Sequence, residues 1–205
     1  MKNNIGKFIV LEGIDGCGKG TQTKILSEFL SNKGYDVVCK KYPEYGKPIG
    51  DLISKWLYSK EYDFSPSVQT LLYFADFVKD IEELENHIKN GRIVISDRYF
   101  TGTIVYQKLK GVPLEKILKL EELFKIKKPD VSIYIRIRPE KSFERKNKQK
   151  ELDRHEKDKI FLKGVFENYE ERVKDNTFCK WEVVDGEKSI EEVANNILKI
   201  IDKTI

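Results

Sequence analysis

The chain has 205 residues, 40% of them hydrophobic and 35% charged, a composition typical of a globular protein with a heavily charged surface. Its net charge of +4 suits an anionic ligand, but it is too small to indicate a nucleic-acid-binding protein by itself. Three scattered cysteines argue against a disulfide framework or a zinc site. The first apolar run, Phe8–Leu11, is too short for a signal peptide or a membrane span. We expect a cytoplasmic protein with one domain, residues 1–205.

Short apolar runs alternate along the chain with longer segments of helical periodicity. The predicted strands are Phe8–Leu11, Val37–Tyr42, Ile93–Ser96, Ser132–Ile137 and Trp181–Val184. The predicted helices are Lys19–Lys33, Pro48–Tyr58, Pro66–Asn90, Pro113–Phe124, Glu140–Lys150, Lys157–Asp175 and Ser189–Asp202. Strands that are apolar on both faces are typical of a covered parallel sheet. The alternation therefore predicts an α/β fold with a five-stranded parallel sheet and helices on both faces.

A glycine-rich loop, GIDGCGKG, separates the first predicted strand from the first predicted helix. It matches the first seven positions of the phosphate-loop pattern GxxxxGK[ST]. Glycines let backbone amides point at phosphate oxygens, the helix N-terminus favours the same anion, and Lys19 adds a full charge. Gly20 has no hydroxyl to offer Mg²⁺, so either Thr21 or an acidic side chain elsewhere is expected to hold the metal. The residues expected to bind ATP here are Gly13, Ile14, Asp15, Gly16, Cys17, Gly18, Lys19, Gly20 and Thr21.

Polar residues also follow two other predicted strands. Asp97 and Arg98 end the strand in IVISDRYF, at the sheet edge where open α/β folds bind ligands. Asp97 is placed for a hydrated Mg²⁺, and Arg98 for a bidentate grip on a phosphate. Lys41 and Glu44 follow the second strand, where either a place in the same crevice or a plain turn around Pro43 is consistent with the sequence.

The segment Glu140–Lys159, EKSFERKNKQKELDRHEKDK, is highly charged and has almost no apolar stripe. Such a segment is either a solvated helix face or a mobile basic lid over an anionic ligand. A nucleic-acid-binding stretch is a third interpretation, which predicts salt-dependent binding.

Taken in order, these segments resemble the thymidylate kinase family of nucleoside monophosphate kinases. The resemblance spans nearly the whole chain, and DRYF followed by YQ, together with LDRHE, are its most discriminating parts. It implies a three-layer P-loop kinase fold with a mobile lid at about residues 140–156. It also implies transfer of the γ-phosphoryl group of ATP to dTMP with Mg²⁺, a cytoplasmic location and a homodimer.

The resemblance implies a role for each matching residue. Asp15, Lys19, Arg98 and Arg145 would serve catalysis, Arg154 and Asp185 would join the ATP site, and Asp97 and Glu44 would hold the metal. Tyr73 would stack on thymine, and Asp15 would face the 3′-hydroxyl of the acceptor. The implied acceptor site consists of Asp15, Glu44, Tyr73, Phe77, Arg98, Thr103, Tyr106 and Gln107.

The sequence departs from the family pattern at several positions. Gly16 stands where some members have a catalytic arginine, and Asn147 and Gln149 stand where lid arginines often occur. Phe77 replaces the arginine that usually hydrogen-bonds thymine, and Gly102 with Thr103 replaces a Ser/Thr pair. A pocket that loses a hydrogen-bonding group discriminates less between bases. Two alternatives to dTMP phosphorylation therefore remain. One is phosphorylation of dUMP or a purine monophosphate, and the other is nucleotide binding without catalysis.

Overall fold

A computed structural model of the protein describes residues 6–59, 61–146 and 153–205. Five parallel strands form one sheet in the order β2-β3-β1-β4-β5. They are β1 (Lys7–Glu12), β2 (Val37–Lys41), β3 (Ile93–Asp97), β4 (Val131–Arg136) and β5 (Trp181–Asp185). The predicted five-stranded parallel sheet is confirmed, and every predicted strand boundary lies within one residue of the observed one.

Helices cover both faces of this sheet. They are α1 (Lys19–Asn32), α2 (Pro48–Tyr58), α3 (Pro66–Val78), α4 (Ile81–Lys89), α5 (Phe100–Leu109), α6 (Leu114–Phe124), α7 (Pro139–Lys146), α8 (Lys159–Lys174) and α9 (Ile190–Ile201). Helix α1 packs against α9, whereas α5 packs against both α3 and α8. Over the described ranges, none of these helices combines the length and the apolar character needed to cross a lipid bilayer.

The alternation of side chains along β1 separates the two layers of helices. Ile9 and Leu11 pack in one core cluster with residues of α1 and α9, whereas Phe8 and Val10 pack in a second cluster with residues of α3 and α5. Successive strand residues point to opposite faces, so a continuous apolar run is needed to cover both sides of the sheet. The carboxyl ends of β1 and β3, which carry the candidate site, therefore extend from strands that are packed on both faces.

The single predicted helix Pro66–Asn90 is wrong, because the structure divides it into α3 and α4 at Lys79 and Asp80. The Asp80 carboxylate accepts hydrogen bonds from the Tyr42 hydroxyl at 2.9 Å and from Lys79 Nζ at 2.8 Å. The bond from Tyr42, which is remote in sequence, ties the chain at the break to the end of β2. The apolar periodicity continues across it because both helices bury residues in the same cluster, among them Phe77 and Leu84.

Helix α5 was not predicted from the sequence at all. Its residues FTGTIVYQKL include a glycine and several β-branched side chains, which favour strands over helices. It is also buried on all sides from Phe100 to Gln107, so it shows no amphipathic stripe. Its N-terminus is satisfied from a distance, because Glu12 Oε1 accepts hydrogen bonds from the Thr101 hydroxyl at 2.6 Å and the Gly102 amide at 2.9 Å. No local sequence signal reveals such a helix.

Candidate active site

The glycine-rich loop after β1 has the conformation of an anion-binding loop. Gly13, Gly16 and Gly18 have φ values of 143°, 78° and 102°, which side chains with a Cβ rarely adopt. Lys19 is 7% exposed, and its Nζ donates hydrogen bonds to the carbonyls of Gly13 at 2.9 Å and Ile14 at 3.2 Å. Within the described residues, no side chain caps the first turn of α1. The positive end of this helix and the loop amides are therefore placed to bind phosphate.

An ion pair joins this loop to the end of β3. Arg98 Nη2 lies 2.6 Å from Asp15 Oδ1, and Lys19 Nζ lies 3.9 Å from the same oxygen. Burial alone raises the pKa of Asp15, but the charges of Arg98 and Lys19 outweigh burial and hold that pKa below its usual value. Asp15 therefore stays ionised and orients both cations. Arg98 has φ 69°, so a non-glycine residue is held in the left-handed region at this point.

A cavity of about 210 Å³ opens beside this ion pair. Of the residues predicted to bind the acceptor, it is lined by Asp15, Tyr73, Phe77, Arg98, Thr103, Tyr106 and Gln107. They come from the phosphate loop, α3, the end of β3 and α5. The tertiary structure thus brings these dispersed residues to one site.

The cavity is also lined by residues outside the set predicted to bind the acceptor, among them Lys41, which the sequence placed either in this crevice or in a plain turn. They are Lys41, Tyr42, Pro43, Tyr45, Leu57, Tyr58, Tyr99, Gly102, Lys146, Asp153, His155 and Glu156. The last three belong to the motif LDRHE, whose acidic residues flank a histidine. That motif was the one available signal that the end of the lid segment faces the cavity.

Helix α7 places the first part of the predicted lid directly on the phosphate loop. The Ser142 hydroxyl donates to the Asp15 carbonyl at 2.5 Å. Arg145 donates to the carbonyls of Gly16 at 3.2 Å and Gly186 at 3.0 Å. Arg145 therefore joins the loop to the turn that follows β5 and Asp185.

A model of the family described as thymidylate kinase matches residues 11–197 of this chain. The chain belongs to the thymidylate kinase family. A thymidylate kinase of Thermoanaerobacter sp. (strain X514) is 37% identical over 203 residues, which cover 97% of this chain and 98% of that protein. A probable thymidylate kinase of Thermococcus kodakarensis is 34% identical, with 95% and 97% covered.

The fold is also that of a solved thymidylate kinase. The enzyme of Candida albicans superposes with a TM-score of 0.77 at 25% identity, covering 97% of this chain and 92% of that one. The expectation of a P-loop kinase fold of the thymidylate kinase type is thereby confirmed, together with membership of a family of nucleoside monophosphate kinases.

One departure from the thymidylate kinase pattern, Gly16, has a steric explanation. A Cβ on Gly16 would lie 3.2 Å from the Ser142 carbonyl oxygen and 3.3 Å from Lys146 Cγ. Any larger side chain would meet α7 where it rests on the loop. The loop glycine and the closely packed lid helix are therefore two parts of one arrangement, in which Arg145 reaches the loop from the lid. Asn147 and Gln149 lie outside the described residues.

The second departure, Phe77, makes one end of the cavity aromatic. Its ring packs edge-on against Tyr42 at 5.1 Å and tilted against Tyr99 at 5.3 Å between centroids. Polar groups remain at this end in Thr103 and Gln107. The Gln107 side chain is fully buried, its Oε1 accepts from a threonine hydroxyl in α3, and its Nε2 has no partner among the described residues. An unpaired buried amide is costly unless a ligand satisfies it.

The two residues predicted to hold the metal occupy different surroundings. Asp97 is buried at the end of β3, and its Oδ2 lies 3.7 Å from the point that a Cβ on Gly20 would occupy. The Glu44 carboxylate lies 2.8 Å from Lys79 Nζ and lines a separate open pocket beside Cys39. Asp97 is therefore next to the loop position that lacks a hydroxyl, whereas Glu44 is engaged in an ion pair.

Another group of carboxylates lies between the phosphate loop and the end of the lid. One oxygen each of Asp15, Asp153 and Glu156 lies within 4.8 Å of the others. Glu156 is also 2.6 Å from Lys146 Nζ. Burial and, next to it, the negative charge of Asp15 together raise the pKa of Asp153 to about 6. Carboxylate oxygens are suitable ligands for Mg²⁺, so this donor set fits a divalent cation.

Arg154, predicted to bind ATP, has its contacts elsewhere. Its Nη2 donates to the carbonyls of Ser59 at 2.6 Å and Tyr62 at 2.8 Å, in the loop after α2. The neighbouring His155 is buried with its ring against Tyr106, and burial lowers its pKa to about 3. His155 is thus a neutral side chain of the cavity wall.

Proposed function

We propose that this chain transfers the γ-phosphoryl group of ATP to dTMP, giving ADP and dTDP. The observation that carries the proposal is the Arg98–Asp15 ion pair, because it lies where the phosphate loop meets the cavity. A phosphoryl group in transfer passes between a donor on the loop and an acceptor in the cavity. A fixed arginine at that junction stabilises charge on both. Membership of the thymidylate kinase family supports ATP as donor and dTMP as acceptor.

The reaction needs positioning more than covalent catalysis by the protein. A phosphate oxygen of dTMP bonds to the γ-phosphorus while the bond from that phosphorus to the β–γ bridging oxygen breaks, and ADP leaves with the electron pair. Lys19 is the loop cation that we assign to the β- and γ-phosphates. Arg98 is assigned to the acceptor phosphate and the group in transfer, with Asp15 and the face of Tyr106 orienting its guanidinium plane. Arg145 adds a cation from the lid side.

We assign the base of the acceptor to the aromatic end of the cavity. Tyr73 supplies a stacking surface, and Phe77 supplies an apolar wall in place of a hydrogen-bond donor. Gln107 Nε2 then donates a hydrogen bond to a carbonyl of the pyrimidine, which satisfies an amide that has no partner among the described residues. Thr103 offers a second polar contact.

We propose Mg²⁺ as the metal cofactor, because the oxygen donors at both ends of the site fit it. Asp97 would hold the ion near Gly20 on the donor side, and Asp15, Asp153 and Glu156 offer ligands on the acceptor side. When bound, Mg²⁺ neutralises negative charge on phosphate oxygens. Glu44 stays a prediction, since it lines a different pocket from these donors.

The acceptor is tested by measuring ADP release with dTMP, dUMP, dGMP, GMP and AMP under the same conditions. We expect kcat/KM to be highest for dTMP. A preference for a purine monophosphate would show that Phe77 has changed the base specificity. Absence of turnover with all five, in protein that melts cooperatively and binds ATP, would favour the non-catalytic nucleotide-binding alternative.

We further propose a cytoplasmic homodimer in which residues 1–205 form one domain, with a lid at about residues 140–156. Apolar side chains remain exposed on two adjacent helices: Leu71 is 56% exposed on α3, and Leu123 is 72% exposed on α6. Phe74 and Phe124 connect these helices with ring centroids 5.2 Å apart. An exposed apolar surface of this kind suits a second copy. Sedimentation equilibrium of the wild type and of Leu71→Glu tests it; a monomeric wild type would contradict the dimer.

A further inference from the structure

We propose that Arg154 is a positioning residue of the acceptor site, which holds the turn Asp153–Glu156 in the cavity wall by binding the carbonyls of Leu57, Ser59 and Tyr62. The family resemblance implies instead that Arg154 contacts ATP, so the two assignments predict effects on different substrates. The inference rests on the proposed function, because it takes the cavity to be the site of the acceptor nucleotide.

The contacts of Arg154 lie at the C-terminal end of α2 and in the loop that follows it. Its Nη2 donates to the carbonyls of Ser59 at 2.6 Å and Tyr62 at 2.8 Å. Its guanidinium carbon lies 5.5 Å from the ring centroid of Trp56, and its backbone amide donates to the Leu57 carbonyl at 3.2 Å. Both the backbone and the side chain of one lid residue are therefore attached to this segment.

The end of a helix explains why an arginine is effective here. Helix α2 ends at Tyr58, and the last carbonyls of a helix have no partner within it. The Arg154 amide satisfies the Leu57 carbonyl, and its guanidinium places a positive charge near the negative end of the helix. Hydrogen bonds from a charged donor are also stronger than those between neutral groups. The carbonyls of Leu57, Ser59 and Tyr62 thus form a site for a cationic donor, which Arg154 supplies.

The turn that Arg154 anchors is closed by its own hydrogen bonds. Asp153 Oδ1 accepts from the Glu156 amide at 2.9 Å, and Glu156 Oε2 accepts from the Asp153 amide at 2.9 Å. This reciprocal pair has the pattern of a capping box. Asp153 Oδ1 also accepts from the His155 amide at 2.8 Å. Fixing Arg154, which lies inside this closed turn, therefore fixes its neighbours as one unit.

The neighbours of Arg154 face the opposite way, into the acceptor cavity. Asp153, His155 and Glu156 all line it, and Arg154 does not. The His155 ring stacks on Phe161 with centroids 4.7 Å apart. Releasing Arg154 would loosen this wall of the cavity, whereas Lys19 and Arg145 would keep their hydrogen bonds to the phosphate loop.

The contrast with Arg145 supports this division of the lid. Arg145 binds the carbonyls of Gly16 and Gly186, at the phosphate loop and beyond β5. Arg154 binds the carbonyls of Ser59 and Tyr62, beside the acceptor cavity. We therefore assign one arginine of the lid to each substrate.

The test compares KM for dTMP with KM for ATP in Arg154→Met and Arg154→Lys. Methionine keeps much of the aliphatic stem but cannot donate, so we expect KM for dTMP to rise roughly tenfold and KM for ATP to change less than about twofold. Lysine keeps the charge and a donor but loses the planar fork, so an intermediate KM for dTMP is expected. Arg136→Met is the matched control, because Arg136 is a half-exposed arginine paired with Glu170 at 2.8 Å outside the site, and both KM values should stay unchanged.

A binding measurement separates this inference from the proposed function. Trp56 and Trp181 are the two tryptophans, so Trp181→Phe leaves Trp56, whose ring lies 5.5 Å from the Arg154 guanidinium carbon, as the single tryptophan to be excited selectively. Titration of that protein with dTMP, without ATP, is expected to change the emission, and adding Arg154→Met should raise the Kd roughly tenfold. No dTMP binding by the Trp181→Phe parent would contradict the proposed function itself. Normal dTMP binding that Arg154→Met leaves unchanged, or a larger rise in KM for ATP than for dTMP, would overturn the positioning role.

Discussion

The donor side and the acceptor side of this site are built in different ways. The donor side is one continuous loop, Gly13–Thr21, to which α7 adds Ser142 and Arg145. The acceptor side is assembled from the loop after β2, the helices α2, α3 and α5, and the end of the lid. A continuous loop depends on local geometry, whereas an assembled cavity depends on every element that supports it. Substitutions on the two sides should therefore differ in which substrate they affect.

The largest effect is expected for Lys19→Met on the donor side. This change removes the loop cation without adding bulk, so kcat should fall about a thousandfold because the transition state loses charge stabilisation. Steady-state rates with saturating dTMP and ATP measure it. Lys24→Met is the control, since Lys24 is 79% exposed on the same helix and should leave kcat unchanged. A Lys19→Met enzyme within tenfold of the wild type would show that the donor side is misassigned.

Arg98→Lys probes the junction of the two sides. Lysine keeps the charge but cannot reproduce the planar donor that Asp15 orients at 2.6 Å, so we expect kcat/KM for dTMP to fall about a hundredfold. A similar loss should occur in kcat/KM for ATP, because the group in transfer touches both substrates. Equal activity of lysine and arginine at this position would mean that only the charge matters.

His155→Phe tests whether His155 is neutral in the folded protein, where it forms part of the acceptor wall. Burial lowers the pKa of His155 to about 3, so the folded protein keeps it neutral while the unfolded chain protonates below about pH 6.5. Protonation then favours the unfolded state. The free energy of unfolding of the wild type therefore decreases as the pH falls from about 6.5 towards 3. Phenylalanine does not titrate. The free energy of unfolding of His155→Phe minus that of the wild type should therefore be about 2 kcal/mol larger at pH 5 than at pH 8.

Urea denaturation of both proteins at pH 5 and pH 8 measures this difference. Subtracting the two free energies of unfolding at each pH removes the titration of all groups that are not coupled to His155. A difference between the proteins that is the same at both pH values would contradict a buried neutral His155.

The smallest effect is expected for Gln107→Leu at the base end of the cavity. Removing an amide whose Nε2 has no partner among the described residues should leave the melting temperature unchanged or raise it. KM for dTMP should nevertheless rise about tenfold, because the proposed hydrogen bond to the base is lost. Calorimetry and steady-state kinetics on the same sample measure the two quantities. A loss of stability without a change in KM would indicate that Gln107 is a core residue only.

Much of the donor side could be predicted from the sequence because its residues are adjacent in the chain. The strand β1, the loop with Lys19 and the helix α1 follow one another, and each has a local signal. The end of β3 was also predictable, since an apolar strand that stops at Asp97 and Arg98 brings them to the edge of a parallel sheet. The pairing of Arg98 with Asp15 then follows from the register of β1 beside β3.

The acceptor side was less predictable because its contacts are remote in sequence. Helix α5 was missed since burial on all sides removes the periodicity on which helix prediction depends. Its N-terminus is satisfied by Glu12, far away in the chain. The single helix expected for residues 66–90 breaks where Asp80 meets Tyr42, another remote contact.

The sequence by itself determined the α/β fold, the parallel sheet and the phosphate loop, because periodicity and glycine spacing are local properties. Only the tertiary structure decided which remote side chains meet: Glu12 with the start of α5, Glu44 with Lys79, and Arg154 with the carbonyls after α2. Such partners are chosen by packing, since buried or terminal polar groups bind whatever donor or acceptor the fold brings to them.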